Sequence, residues 1–112
     1  MRVAISGASG LIGSALAADL SAAGDDVIAL VRRAATSSRE VSWAPASGLD
    51  PGTLSGVDAV VNLSGAPIAA KRWTPARKAE LRASRITPTG TLAKAIAAAH
   101  PAPSVLINGS AI

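Results

Sequence analysis

Gly7-Ala8-Ser9-Gly10-Leu11-Ile12-Gly13 is the stretch whose reading decides the fold. The apolar run Val3-Ala4-Ile5 leads into it. Leu11, Ile12, Ala15, Leu16 and Leu20 follow it at helical spacing. Strand, tight glycine turn and helix is the arrangement that turns free backbone N–H groups toward a phosphate. Each glycine has its own task. Gly7 permits the turn, Gly10 lets a pyrophosphate approach the backbone, and Gly13 lets the helix lie close to the strand. The spacing is G-x-x-G-x-x-G, not the G-x-G-x-x-G of the basic dinucleotide fingerprint. Glycines also mark ordinary turns, so the strand before and the helix after carry the nucleotide reading.

The rest of the chain supplies the partners such a turn needs. The first helix is expected over 11–23, stopped by Gly24. Val27-Ile28-Ala29-Leu30-Val31 is apolar at every position, as in a parallel strand covered on both faces. Val41-Ser42-Trp43 reads as a short third strand, with Trp43 either in the core or against an adenine. A loop with a helical turn near Thr53 and Leu54 leads to a fourth strand over 58–63, ending in Ser64-Gly65-Ala66-Pro67-Ile68. Thr74 and Pro75 read as the N-cap and first residue of a second helix. Pro88 predicts a kink in it, or a second start capped by Thr87. Ser104-Val105-Leu106-Ile107-Asn108 is the fifth strand. The implied fold class is α/β, a Rossmann-type doubly wound parallel sheet of order 3-2-1-4-5 in a single domain over 1–112.

Arg32 and Arg33 end the second strand, where folds that prefer NAD place an acid for the ribose 2′-hydroxyl, ~20 residues past the turn. Two guanidiniums with Thr36, Ser37 and Ser38 close by suit a 2′-phosphate instead. NADP is therefore the expected cofactor and NAD the alternative. Leu63, Ser64, Gly65 and Ala66 fall at the same carboxyl edge of the sheet as Gly7, Ser9, Gly10, Leu11, Ile12 and Gly13, and complete the expected cofactor site.

Composition narrows the field. Net charge is +4 over 112 residues. Lys71, Arg72, Arg77, Lys78, Arg82 and Arg85 read as one helical stretch with Trp73 as its single aromatic residue, too few for a base-stacking platform, so nucleic acid is not an expected partner. There is no cysteine, which removes disulfides and thiolate metal sites and suits a reducing compartment. His100 stands alone before Pro101, a helix-end residue rather than a ligand, and no metal is expected. No apolar run approaches the ~18 residues of a membrane span, and the first strand leaves no room for a signal peptide. A cytoplasmic location follows as the expectation.

Several segments together resemble the extended, atypical short-chain dehydrogenase/reductase superfamily. They are Ser6-Gly7-Ala8-Ser9-Gly10-Leu11-Ile12-Gly13, Trp43-Ala44-Pro45, Asn62-Leu63-Ser64-Gly65-Ala66-Pro67-Ile68-Ala69, Arg72-Trp73-Thr74, Ser84-Arg85-Ile86 and Gly109-Ser110-Ala111-Ile112. Within it they look like the NAD-dependent epimerase/dehydratase branch labelled "epimerase family protein". The resemblance spans the whole chain and implies the amino-terminal, cofactor-binding part of a longer fold truncated after its fifth strand. It implies hydride transfer with NAD(P) on an unknown small-molecule substrate, as in oxidoreductases, epimerases and dehydratases. The superfamily's catalytic Tyr and Lys, spaced Y-x-x-x-K, would lie beyond Ile112, and the chain has no Tyr. Ser110 matches the upstream catalytic Ser, and Arg85 stands where the superfamily's helix Asn belongs. The other reading is a non-catalytic dinucleotide-binding or scaffold module that self-associates. Homo-oligomerisation through the second helix is expected in either case.

Overall fold

The computed structural model describes residues 1–64 and 74–109. Their order is β1 (Arg2–Ser6), α1 (Leu11–Ala22), β2 (Asp26–Val31), β3 (Glu40–Ser42), two 3-10 turns (Pro45–Ser47 and Pro51–Leu54), β4 (Ala59–Asn62), α2 (Pro75–Ala98) and β5 (Val105–Asn108). The strands form one sheet in the expected order β3-β2-β1-β4-β5, and every pairing is parallel. This is the Rossmann-type arrangement, with the central strand β1 feeding the glycine turn.

Register explains the two cores. Val3 lies level with Val27 on one side and Ala59 on the other, and Ala4 lies level with Ile28 and Val60. Side chains alternate across a strand, so each level feeds one face. Val3, Ile5, Val27, Ala59 and Val61 form one cluster, packed by Leu16, Ala17 and Leu20 of α1. Ala4, Ile28, Leu30 and Val60 form the other, closed by Trp43, Leu54, Val57, and by Leu92 and Ala95 of α2. Apolar burial on both faces is why the inner strands are apolar between their ends. β5, at the sheet edge, leaves Val105 and Ile107 about half exposed, at 46% and 53%.

The buried side of α1 differs from the expected one. Leu11 is 90% exposed and Ile12 70%. The inward positions are Gly13, Leu16, Ala17 and Leu20, a clean i, i+3, i+4, i+7 set. Gly13 opens that face because nothing larger fits. A Cβ there would meet Ala8 Cα at 2.9 Å and drive into the Gly7 carbonyl. Gly7 has φ +74°, and a Cβ on it would meet the Leu63 carbonyl oxygen at 2.6 Å. These two glycines let β1, α1 and the β4 end converge on one point. The helix closes as expected at Gly24, φ +89°. Its N–H donates to Ser21 O and that of Asp25 to Leu20 O, the paired bonds of a Schellman ending.

Thr74 caps α2 through its Oγ1, which accepts from Arg77 N at 3.1 Å, with Pro75 as the first residue. Lys71 and Arg72, read as part of this helical stretch, precede it and lie outside the described residues. There is no second start at Thr87: α2 runs unbroken through Pro88. A mid-helix proline costs about 3 kcal/mol. Leu81 before it is buried, and Leu92 and Ala95 after it pack in the cluster of Ala4, Ile28 and Val60, which holds the helix in place. Pro88 itself is buried on that stripe.

Replacing Gly13→Ala is expected to destabilise the chain by about 3 kcal/mol or more, because backbone on both sides cannot yield. Urea unfolding of the two proteins checks this, and an unchanged midpoint would contradict the packing described.

Candidate functional site

The helix that follows the glycine turn begins without a side-chain cap. Its N-cap is Gly10, and no acid occupies its first turn. Gly10 N donates back to Gly7 O at 3.1 Å, and Ser14 N makes the first helical bond to Gly10 O. Among the described residues, the N–H groups of Leu11, Ile12 and Gly13 between them have no acceptor. Three orphan donors and the positive end of the helix dipole coincide there.

A groove of about 850 Å³ runs past this turn along the carboxyl edge of the sheet. Gly7, Ala8, Ser9 and Gly10 form its floor, and Leu30, Val31, Arg32 and Arg33 line its β2 side. Trp43, Pro45 and Ala46 add a wall, Leu63 and Ser64 enter from the end of β4, and Ser84, Thr87 and Pro88 border it from α2. The turn and the two arginines therefore face one space. Trp43 belongs both to the core, at 6% exposure, and to the groove wall.

The floor is anchored from below by polar groups that the apolar strand pattern hides. Asn62 is 4% exposed and Ser6 fully buried. Ser6 Oγ donates to Asn62 Oδ1 at 2.6 Å, and Asn62 Nδ2 donates to Thr89 Oγ1 at 3.0 Å and Asn108 Oδ1 at 3.1 Å. Ser64 donates its N–H to Asn62 Oδ1 and its hydroxyl to Ser6 Oγ. One amide thus ties the carboxyl ends of β1, β4 and β5 to α2 and sets the path of the chain at Ser64. A single polar residue closing a run of apolar ones was the available signal.

The two arginines are not equivalent. Arg33 Nη1 and Nη2 donate to the two carboxylate oxygens of Glu40, and Nη1 also to Ala34 O. Thr36 gives the same carboxylate its N–H and its hydroxyl, each at 2.8 Å. Arg33, followed by the Thr36 donors, holds the Glu40 carboxyl well below its ordinary 4.5, at about 2. Arg32 has no such partner among the described residues. Nothing local marks Glu40 in the sequence; only the parallel pairing of β2 with β3 brings it beside Arg33.

Other expected residues fall less centrally. Leu11 and Ile12 turn their side chains to solvent and bring only backbone to the turn. Arg85 folds back on α2, donating to Leu81 O and Ser84 Oγ, and Ser84 is the neighbour that reaches the groove. Gly65, Ala66 and Ser110 lie outside the described residues. Among the described residues there is no group of three or more His, Cys, Asp or Glu that could hold a metal, and no helix long and apolar enough to cross a membrane.

The model of the NAD dependent epimerase/dehydratase family matches residues 3–112. The chain belongs to that family. It is 56% identical over 111 residues to an epimerase family protein of Mycobacterium bovis, covering 98% of this chain and 36% of that protein. Among solved structures it resembles the human epimerase family protein SDR39U1, crystallised with NADPH, with a TM-score of 0.82 and 35% identity over 96% of this chain and 36% of that one. A nucleoside-diphosphate sugar epimerase of Corynebacterium glutamicum superposes with a TM-score of 0.79 and 33% identity, over 99% of this chain and 22% of that one. The chain thus spans about a third of the length of the curated relatives it matches. Family and fold together make it a Rossmann-type part of the epimerase/dehydratase family.

The lowered Glu40 pKa fixes a pH dependence. Its folded value lies below the unfolded one, so its contribution to stability is full above about pH 4.5 and fades as pH falls toward 2. The difference in urea midpoint between the native protein and Glu40→Gln should stay constant from pH 7 to 4.5 and shrink below that. A difference already lost by pH 4.5 would contradict the bonding described.

Proposed function

We propose that this chain is the NADP-binding part of an epimerase- or oxidoreductase-type enzyme that works by hydride transfer on a small molecule. The observation that carries the reading is the bare start of α1, opening on the same groove as Arg32. The dinucleotide supplies or accepts the hydride when bound. The N–H groups of Leu11, Ile12 and Gly13 take its diphosphate, and Gly7, Ser9 and Gly10 keep the floor low enough for it to approach. Arg32 and Arg33 favour the extra charge of a 2′-phosphate. Trp43 and Pro45 offer an apolar wall to the adenine, and Leu63 and Ser64 border the path toward the nicotinamide; Gly65 and Ala66, next in sequence, share that role by the family resemblance. Ser110 orients a substrate carbonyl and Arg85 takes part in the chemistry; both roles rest on the family resemblance.

Gly10 supplies the fit test. A Cβ there would meet only Gly7 O, at 3.4 Å, an ordinary contact. The chain's own packing therefore has room for a side chain at Gly10, unlike Gly7 and Gly13. An approaching phosphate would not. The SDR39U1 structure with NADPH adds support from a relative.

Gly10→Ala is expected to keep its stability within about 1 kcal/mol. It should lose NADPH affinity by about tenfold, a difference near 1.4 kcal/mol. Calorimetric titration of the two folded proteins checks this. Equal affinities, or a folded native chain that takes up neither NADPH nor NADH, would overturn the reading.

A further inference from the structure

The turn between β2 and β3 holds more phosphate-ready donors than it offers to the groove. Arg33, Thr36 N–H and Thr36 Oγ1 all end on Glu40, four hydrogen bonds to one carboxylate. Ser37 is also engaged: its Oγ accepts from Arg39 N at 3.3 Å, and its carbonyl accepts from Glu40 N at 3.2 Å. Arg39 O in turn accepts from Ala29 N of β2 at 2.8 Å, which ties the turn to the sheet. The turn is thus knitted around Glu40, whose side chain is only 17% exposed. Glu40 and Thr36 stand outside the groove lining, while Arg32 and Arg33 lie within it. The carboxylate braces Arg33 from behind and uses both of its terminal nitrogens.

A phosphate arriving beside Arg33 would find three of its five N–H donors already engaged by Glu40 and Ala34. Arg32, at the preceding position, makes no side-chain hydrogen bond or ion pair among the described residues and has its N–H groups to give. We propose that Glu40 is a positioning residue for cofactor selection: it fixes Arg33 and the β2–β3 turn as a wall, and leaves Arg32 as the side chain that grips the 2′-phosphate. This rests on the NADP reading above and assigns unequal parts to two residues that the sequence presents as a pair. Net charge alone argues the other way. Deleting an acid beside two arginines should tighten an anion, whereas loosening a brace should weaken it. At an exposed turn the Coulomb effect is small and screened, so positioning governs the sign.

The test measures dissociation constants of NADPH and NADH for the native chain and four variants. They are Glu40→Gln, which keeps the shape and removes the charge; Glu40→Asp, which keeps the charge and shortens the reach; Arg32→Ala; and Arg33→Ala. The native chain should favour NADPH by about tenfold or more, as charge-assisted contacts to one phosphate allow. Both Glu40 variants should lower that preference by about threefold or more, with NADH affinity unchanged; a merely destabilised fold would weaken both cofactors. Arg32→Ala should bring the preference near parity, and Arg33→Ala should retain part of it. A native preference that survives both Glu40 variants, rises in Glu40→Gln, or falls further in Arg33→Ala than in Arg32→Ala overturns the division of roles and leaves the NADP reading standing. A native chain without preference overturns the NADP reading itself, and the inference with it.

Discussion

Three backbone N–H groups at the start of α1 have no acceptor among the described residues, and the structure around them depends on keeping them so. An ordinary helix would place Ser, Thr, Asn or Asp at Gly10 and satisfy one of them internally. Here the cap is glycine, the first turn carries no acid, and the cap residue Gly10 itself lines a groove. The arrangement survives because the helix start is locked by contact. Gly13 rests on the backbone of Gly7 and Ala8, and Gly7 rests on the Leu63 carbonyl. Unsatisfied donors are tolerable at a groove open to water and would be costly in the core.

The sheet turns this local device into a site. Its two apolar faces fix register through Val3, Ala4, Ile5 and their neighbours, and register places the carboxyl ends of β1, β2 and β4 side by side. At that edge the chemistry changes. Asn62 and Ser6 replace apolar packing by a closed hydrogen-bond set, and Glu40 does the same for the β2–β3 turn. Both networks hold backbone that borders the groove, so the opening is rigidly framed although its floor has almost no side chains.

Much of this was legible in the sequence. Continuous apolar strands, a glycine turn, Gly24 after a helix and Thr74-Pro75 before one each have a single local cause, and the structure places them as read. Three points were not legible, each because a distant contact decides it. Leu11 and Ile12 look like core residues, yet Gly13 takes the inward position next to the turn, where space rather than hydropathy selects the residue. Pro88 predicts a kink or a second start, yet α2 runs unbroken through it, with Leu81 buried before it and Leu92 and Ala95 packed in the core after it. Arg32 and Arg33 look interchangeable, and only the pairing of β2 with β3 shows that one of them is held by Glu40. Local propensity marks where elements begin and end; packing across the sheet decides which side chains remain to meet a ligand.

The central claim is that the bare start of α1 receives an anionic diphosphate. Amide chemical shifts of the folded chain during addition of 5′-ADP, which has a diphosphate but neither nicotinamide nor 2′-phosphate, address it directly. The account predicts that the largest shifts fall on the N–H groups of Leu11, Ile12 and Gly13 and saturate together. Saturating shifts centred on other residues, with these three amides unmoved, would contradict it.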